Sequence, residues 1–151
     1  MTPKSLLRHP ECVSSLDDLA QGRFQRILID SSVKSQETKR ILLCSGKIYY
    51  ELVEERKKRG RTDVAIIRIE QYYPLVDTLL EQALAPYPAN TPAFWVQEEP
   101  GNMGAWRYMR ARGGYVLFGK YPFDGIYRPF SASPATGSPG SSRRPRLSNP
   151  R

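Results

Sequence analysis

Apolar and polar positions alternate in blocks through the middle of the chain, from Arg40 to Arg128. Some blocks are short, uninterrupted apolar runs, a pattern typical of strands that are covered on both faces. These runs occupy residues 41–44, 64–69, 93–96 and 115–118, with a further short run at 126–128. The blocks between them space apolar residues three and four apart, as amphipathic helices do. These helical blocks occupy residues 47–59, 75–84 and 103–112. Strands that alternate with helices through short turns predict βαβ crossovers and a mainly parallel sheet.

The first part of the chain is less regular. Ser15 stands three residues before Asp18, a spacing that predicts a short capped helix because the Ser15 hydroxyl can accept from the Asp18 amide. Residues 24–29 alternate weakly and predict an edge strand, and the polar stretch 30–38 predicts a loop. The N-terminus lacks the apolar segment of a secretory signal, and no run approaches the roughly 18 apolar residues of a membrane span. We therefore expect a soluble, intracellular protein.

The net charge of +8 raises the hypothesis of a nucleic-acid-binding protein. The positions of the charges weaken it. The tail carries Arg143, Arg144, Arg146 and Arg151. A second cluster, 56–61, ends a predicted helix, where cations complement the helix dipole. The interleaved aromatic and basic residues of single-strand binders are absent from the sequence. We therefore rank nucleic acid last among the partners considered.

Few residues carry catalytic or metal-binding chemistry. The sequence contains one histidine and two cysteines, Cys12 and Cys44, without metal-ligand spacing. Cys44 ends an apolar run and is expected to be a small buried residue. The segment Ser45-Gly46-Lys47 lacks the upstream glycine of a phosphate-binding loop. We assign no catalytic, cofactor-binding or metal-binding residue to this chain.

Polar residues follow three of the predicted strands, at the carboxyl ends where open parallel sheets bind ligands. These polar segments are 44–46, 70–74 and 97–100. Glu98 and Glu99 stand side by side in the last segment. Neighbouring residues on a strand point to opposite faces, so we do not expect the two carboxylates to act on one substrate atom. We expect a strand-end loop that shapes the sheet edge, with Trp95 and Trp106 as core anchors.

Four stretches carry a resemblance to a known family. They read MTPKSLLRHP, LLCSGKIYYELVEERKKRGRTDVAIIRIEQYYPL, WVQEEPGNMGAWRYMR and RPFSASPATGS, in this order up to about residue 138. Together they resemble the C-terminal region of the thiamine-diphosphate-dependent, decarboxylating component of 2-oxoglutarate dehydrogenase. The resemblance implies a transketolase C-terminal-like fold, which is α/β with three layers, α/β/α, around a mainly parallel five-stranded sheet.

The resemblance also implies a division of the chain. Residues 1–36 are expected to be the end of a preceding domain or a linker, residues 37–137 the transketolase C-terminal-like domain, and residues 138–151 a disordered basic tail. Family members are several times longer, and their ligands for thiamine diphosphate and magnesium lie upstream of the matched segment. His9 does not match one of their active-site histidines. The tail departs from the family pattern, which points to a fragment, a truncation or a shifted reading frame. We expect the chain alone to be inactive.

The implied role is non-catalytic. In the family, the C-terminal domain packs at the dimer interface, which makes Glu98, Glu99 and Trp106 candidate interface residues. Some members carry an allosteric site for acetyl-CoA or a nucleotide in this domain. Gln71 matches a position of that site, and Arg68 belongs to the same motif, RIEQ. The resemblance therefore makes Gln71 and Arg68 the candidate regulatory residues.

The expected partners are a second copy of the chain or the missing upstream domains and, in the family, the lipoyl-bearing succinyltransferase component. The expected location is cytoplasmic, or the mitochondrial matrix if the source is eukaryotic. The alternative hypothesis is a free-standing regulatory module that binds a nucleotide or an acyl-CoA at the sheet edge. Against acyl-CoA binding, residues 75–78 replace the basic residues that acetyl-CoA-responsive relatives carry after the preceding proline.

Overall fold

The computed structural model describes residues 4–133 of the chain. The strands are β1 (Ile27–Leu28), β2 (Arg40–Cys44), β3 (Val64–Ile69), β4 (Ala93–Pro100), β5 (Val116–Leu117) and β6 (Tyr121–Arg128). The helices are α1 (Leu16–Gln21), α2 (Ile48–Lys58), α3 (Asp77–Leu84) and α4 (Trp106–Gly113). Two short 3-10 helices span Lys4–Arg8 and Ser35–Glu37. The predicted disordered tail, 138–151, lies outside the described residues.

The strands form a sheet in the order β1-β3-β2-β4-β6-β5. The four inner strands are parallel, with Arg40 opposite Val64 and Ala93 opposite both Ile41 and Phe123. The edge strands β1 and β5 are antiparallel to their neighbours. The α/β class is therefore confirmed, whereas the prediction of five strands is wrong. The sheet is mixed and has six strands.

The five apolar runs correspond to β2 to β6, and the sixth strand of the sheet is β1. The turn after β5 decides how the last two strands are placed. Phe118 and Gly119 have positive φ angles of 51° and 67°, and the Lys120 amide donates to the Leu117 carbonyl at 3.0 Å. This turn reverses the chain, and tight turns join antiparallel strands. The predicted strand at 115–118 is therefore reduced to a two-residue edge strand, and β6 takes the parallel position beside β4.

β6 begins well before the run predicted at 126–128. The residues before that run include Pro122 and Gly125, residue types that are depleted in strands, so their sequence did not indicate a strand. Gly125 has a packing reason, because a Cβ atom there would lie 2.7 Å from the Trp106 ring. The contact with Trp106 on α4 therefore requires glycine at position 125, although glycine is unfavourable within a strand.

The N-terminal predictions hold in outline. The Ser15 hydroxyl accepts from the Asp18 amide at 3.0 Å, and the Asp18 carboxylate accepts from the Ser15 amide at 3.3 Å, which completes the capping box. The predicted edge strand at 24–29 is present but spans only β1. The predicted loop at 30–38 contains one turn of 3-10 helix.

Apolar clusters lie on the two faces of the sheet. Ile41, Leu43 and Trp95 belong to the larger cluster, together with residues of α3 and α4. Cys44 and Val96 belong to the smaller one, which packs against α2. Cys44 is fully buried, as expected, and burial raises the pKa of its thiol to about 12. Among the helices of residues 4–133, none is long and apolar enough to cross a bilayer.

A buried ion pair fixes the loop that follows β1. Arg56 on α2 contacts the Asp30 carboxylate, and their side chains are only 10% and 7% exposed. The same carboxylate accepts from the Ile66 amide on β3 at 2.8 Å. Arg56 also donates to the Val64 carbonyl at 2.9 Å and to the Ser32 hydroxyl at 2.7 Å. One pair therefore links the loop, the helix and the sheet.

Candidate functional site

The carboxyl ends of β2, β3 and β4 meet at one edge of the sheet, beside a cavity of about 270 Å³. We call this edge the rim. The polar residues that line its cavity are Ser45, Tyr72, Gln97, Glu98 and Glu99. Ile48, Trp95 and Val96 supply apolar walls. The three predicted polar segments therefore come together, and the rim is the candidate functional site.

Gln97 holds the rim in shape. Its side chain is buried, and its Oε1 accepts from the Trp95 indole N–H at 2.9 Å and from the Trp106 amide at 2.8 Å. Its Nε2 donates to the carbonyls of Pro100 at 3.1 Å and Met103 at 2.7 Å. One buried amide thus satisfies two donors and two acceptors in and around the loop between β4 and α4. Without Gln97 these groups would be cut off from water and unpaired.

Gln97 was not among the predicted site residues, although the sequence carries a signal for it. An amide side chain, which both donates and accepts, stands between two tryptophans and directly after an apolar run. Gly104 completes the arrangement. Its φ angle is +66°, and a Cβ atom there would lie 2.8 Å from the Gln97 Oε1. The close approach and the backbone conformation both require glycine at this position.

Glu98 is bound by Lys47, which precedes α2. The Lys47 Nζ lies 3.0 Å from the Glu98 Oε1 and also contacts Glu51. The hydrogen bond to Glu51, and after it the Glu98 carboxylate, raise the pKa of Lys47. The sequence drew attention to Lys47 only as part of Ser45-Gly46-Lys47, a segment that lacks the upstream glycine of a phosphate-binding loop. Its partnership with Glu98 depends on the parallel packing of β2 beside β4 and is not visible in the sequence.

Glu99 has different surroundings from Glu98. It is exposed, and no Lys or Arg within residues 4–133 forms an ion pair with it. Tyr72 lines the same cavity. Burial raises the pKa of the Tyr72 hydroxyl, and the Glu99 carboxylate adds to this increase, against a hydrogen bond with Ser45. Tyr72 therefore offers a neutral hydroxyl group at neutral pH.

The two candidate regulatory residues lie outside the wall of this cavity. The Gln71 Nε2 donates to the Pro74 carbonyl at 3.3 Å. The Arg68 guanidinium stacks 4.3 Å from the centre of the Tyr49 ring and lies 3.7 Å from the Glu70 carboxylate. Both side chains already have partners within the fold. The regulatory role of Gln71 and Arg68 stays a prediction.

The tryptophans are core anchors, as predicted. Trp95 is 1% exposed and Trp106 is 7% exposed. The Trp106 ring packs against Phe123 and Tyr127, with ring centres 5.7 and 5.4 Å apart. Trp106 is therefore covered by its own chain, while Glu98 and Glu99 remain exposed. The interface role of Trp106 and the two glutamates stays a prediction.

The basic cluster that ends α2 is engaged in ion pairs rather than presented as a positive patch. Lys57 pairs with Glu11 at 2.7 Å. Arg59 pairs with Glu55 on the same helix at 2.6 Å, and Arg61 pairs with Asp63 at 2.6 Å. The hydrogen bonds from Arg59 and Arg61 lower the pKa of Glu55 and Asp63 respectively. These pairs reduce the positive potential that the sequence indicated.

The rim has the wrong charge for a diphosphate group. The charged residues that line its cavity are Glu98 and Glu99, which repel phosphate oxygens. At about 270 Å³ the cavity is also smaller than the roughly 300–1,000 Å³ of most small-molecule sites. Within residues 4–133, no three His, Cys, Asp or Glu side chains are grouped so that they could hold a metal ion. The rim suits one side chain better than a coenzyme.

Comparison with known proteins identifies relatives along most of the chain. Residues 13–144 match the family described as "2-oxoglutarate dehydrogenase C-terminal". The chain is 44% identical over 138 residues to the "2-oxoglutarate dehydrogenase E1 component" of Haemophilus influenzae, and the match covers 91% of the chain and 15% of that relative. It is 43% identical over 143 residues to the protein of the same name from Cupriavidus necator, with 91% and 14% covered. A Xenopus laevis protein, "2-oxoglutarate dehydrogenase-like, mitochondrial", is 44% identical over 142 residues, with the same coverage.

The chain spans about 15% of the length of the curated relatives that it matches. The family match extends over well more than half of the chain, and the identities lie above 40% across nine tenths of it. The resemblance stated from the four sequence stretches is therefore confirmed. The chain belongs to the family formed by the C-terminal region of 2-oxoglutarate dehydrogenase E1 components.

Proposed function

We propose that this chain acts as a non-catalytic C-terminal domain of a 2-oxoglutarate dehydrogenase E1 component and serves the assembly of the larger enzyme. The observation that carries the proposal is that polar side chains of the rim form hydrogen bonds and an ion pair within the chain itself. Gln97 satisfies two donors and two acceptors of its own loop, and Lys47 binds Glu98. These side chains hold the sheet edge and its loop in place, which is a scaffolding role.

A surface suited to assembly lies in the N-terminal strap, residues 4–29. Six of the eleven exposed large apolar side chains within residues 4–133 belong to it. They are Leu7, Val13, Leu16, Leu19, Phe24 and Ile29, each at least 65% exposed. The strap ends in β1, which pairs with β3, and its earlier part contacts the rest of the fold through the Glu11–Lys57 ion pair and the His9–Tyr50 ring contact. Clustered exposed apolar residues mark interaction sites, and we assign the strap to contact with a second copy or with upstream domains of the longer enzyme.

In this proposal the whole enzyme carries the chemistry. Thiamine diphosphate and magnesium are bound by residues outside this chain, since the rim repels phosphate and the chain spans about 15% of its relatives. The lipoyl-bearing succinyltransferase component is a partner of the whole enzyme. A cytoplasmic or mitochondrial-matrix location follows from the same assignment.

Sedimentation velocity over a range of protein concentrations tests the assembly role. We expect the purified chain to form a dimer through the strap, and the double variant Leu16→Gln/Leu19→Gln to weaken that dimer by about a hundredfold or more. The reason is that burying each such side chain contributes roughly 1.5–3 kcal/mol. Both residues are exposed on α1, so the substitutions leave the core intact.

The matched control is Val116→Gln, which removes an apolar side chain that is 46% exposed at the opposite edge of the sheet. We expect its dimer constant to equal that of the unchanged chain. A chain that remains monomeric at every concentration, or a dimer that tolerates the double substitution, would contradict the assembly role.

The alternative function, a regulatory module for a nucleotide or an acyl-CoA, has a separate test. We expect titration calorimetry with acetyl-CoA or AMP to give no saturable heat, because the rim cavity is acidic and Gln71 is bonded to Pro74. Saturable binding that falls about tenfold to a hundredfold in Gln71→Ala, the worth of one hydrogen bond to a charged group, would instead favour the regulatory module.

A further inference from the structure

The two faces of the sheet are covered to different extents. The larger apolar cluster takes its helical residues from α3 and α4, whereas the smaller cluster takes them from α2 alone. On β4, Ala93 and Trp95 are at most 1% exposed, but Phe94, which belongs to the α2 side, is only half-buried. Ile126 on β6 is half-buried on the same side. Parallel strands are normally covered on both faces, so β4 and β6 lack part of a covering layer within residues 4–133.

We call the side chains of Phe94 and Ile126, on the α2 side of the sheet, the open face. Arg40 borders it, because its exposed guanidinium lies 5.3 Å from the centre of the Phe94 ring. No Asp or Glu within residues 4–133 forms an ion pair with Arg40, including Asp124 opposite Phe94 on β6. The open face therefore suits an apolar segment that also carries a carboxylate.

The helix α1 in the strap is a segment of this kind. Leu16 and Leu19 are three residues apart, so they lie on one side of the helix, and they are 83% and 73% exposed. Asp17 is also exposed, and in the part of the chain that the structure describes it has no ion-pair partner. The helix thus offers apolar side chains for the open face and a carboxylate for Arg40.

The strap lies on the far side of α2 from the open face of its own chain. The His9 ring contacts Tyr50 on α2, and Tyr50 accepts a hydrogen bond from Arg68 on β3 at 3.4 Å. At the start of α2, Lys47 reaches in the other direction, to Glu98 on β4. β2 lies between β3 and β4 in the sheet, so α2 separates the strap, at β3, from the open face, at β4 and β6. The open face is therefore left for the strap of another copy.

We propose that two copies of the chain exchange their α1 helices, so that α1 of one copy covers the open face of the other and Asp17 pairs with Arg40. The strap is held on the same side of the sheet as the open face. A two-fold axis near α2 therefore forms both contacts at once, as in other isologous dimers. The exchange rests on the dimer proposed above and specifies the surface that the strap occupies in it.

The apolar and the charged parts of the contact have different effects. Burial of the apolar side chains supplies most of the affinity, because exposed ion pairs are individually weak. The Asp17–Arg40 pair decides which surface α1 meets, since opposite charges favour this arrangement and like charges oppose it. Each dimer contains two such pairs, so the reversal of one charge in the sequence acts twice.

Charge reversal followed by sedimentation velocity tests the exchange. We expect Asp17→Lys and Arg40→Glu each to weaken the dimer about tenfold, because each variant brings like charges together at both contacts. The double variant Asp17→Lys/Arg40→Glu should restore the dimer constant to within about threefold of the unchanged chain. Glu81→Lys, an exposed position of α3 on the other face of the sheet, is the matched control and should leave the dimer constant unchanged.

An equimolar mixture of the two single variants separates a contact between chains from a contact within one chain. In a mixed dimer both contacts bring opposite charges together, so we expect the mixture to dimerise as tightly as the unchanged chain, although neither variant does so alone. A mixture that dimerises no better than its components would overturn the exchange.

The same measurements distinguish failure of the exchange from failure of the assembly role. A dimer that tolerates both charge reversals but is weakened by Leu16→Gln/Leu19→Gln would overturn the exchange and leave the assembly role intact. A chain that stays monomeric at every concentration would overturn both.

Discussion

At the scale of single residues, one neutral amide controls the rim more than the two carboxylates beside it. Gln97 is buried and bonded on both of its polar atoms, whereas Glu98 and Glu99 are exposed. The buried indole N–H of Trp95 and the amide of Trp106 depend on its oxygen. A hydrogen-bond donor that loses its partner inside a protein costs more free energy than an average hydrogen bond contributes.

Replacing Gln97 by Leu, which fills similar space, should therefore lower the free energy of unfolding by about 3 kcal/mol. The estimate counts the two orphaned donors at about 1–3 kcal/mol each. Urea unfolding followed by the fluorescence of the two tryptophans, both next to Gln97, measures the change.

Glu99→Gln is the control for that measurement, because exposed substitutions away from such networks change stability by less than about 0.5 kcal/mol. If Gln97→Leu proved as stable as Glu99→Gln, the assigned role of the Gln97 amide in the loop between β4 and α4 would be wrong.

At the scale of secondary-structure elements, the Asp30–Arg56 pair joins the loop after β1 to α2 and β3. Burial acts to raise the pKa of Asp30, but hydrogen bonds from Ser32, the Ile66 amide and Arg56 together outweigh burial and hold the pKa below its ordinary value. The folded pKa is thus lower than the unfolded pKa. The pair contributes its full stability above the unfolded value, near 3.9, and loses it as pH falls through the folded value.

Asp30→Asn should therefore destabilise the chain by about 3 kcal/mol at pH 7, since breaking a buried pair leaves Arg56 without its counter-ion. The difference between variant and unchanged chain should shrink as the pH falls below about 4. Urea unfolding at a series of pH values follows both effects.

Asp63→Asn breaks an exposed pair with Arg61 and should leave the unfolding midpoint at pH 7 nearly unchanged. A stability difference for Asp30→Asn that stayed constant from pH 7 into the acid range would rule out the titration of Asp30 as its cause.

At the scale of the whole molecule, the chain has the size of one domain and spans about 15% of the length of its relatives. The rim cavity is acidic and has room for about one side chain, and most of the exposed large apolar side chains lie in the strap, residues 4–29. Both features favour contact with other protein segments over the binding of a phosphorylated cofactor.

The purified chain should therefore show no 2-oxoglutarate-dependent reduction of an artificial electron acceptor when thiamine diphosphate and magnesium are supplied. A full-length E1 component from Haemophilus influenzae, assayed in the same way, is the positive control. Turnover clearly above buffer in a pure sample of the chain would disprove its non-catalytic assignment.

The sequence by itself determined the elements whose pattern is local. Apolar runs at 41–44 and 64–69 marked β2 and β3, and the spacing of Ser15 and Asp18 marked the cap of α1. The family was also readable, because four long matched stretches in order are far more specific than a short motif. These features depend on periodicity or on residue identity along the chain, which the sequence states directly.

Only the tertiary structure decided how the edges and the rim are completed. The turn at Phe118 and Gly119 made β5 antiparallel, and the Trp106 ring required glycine within β6. Gln97 accepts a hydrogen bond from the amide of Trp106, nine residues later in the sequence. Lys47, which follows β2, forms an ion pair with Glu98 near the end of β4. Contacts of this kind depend on which strands become neighbours, and local hydrophobic periodicity contains no information about residues that are distant along the chain.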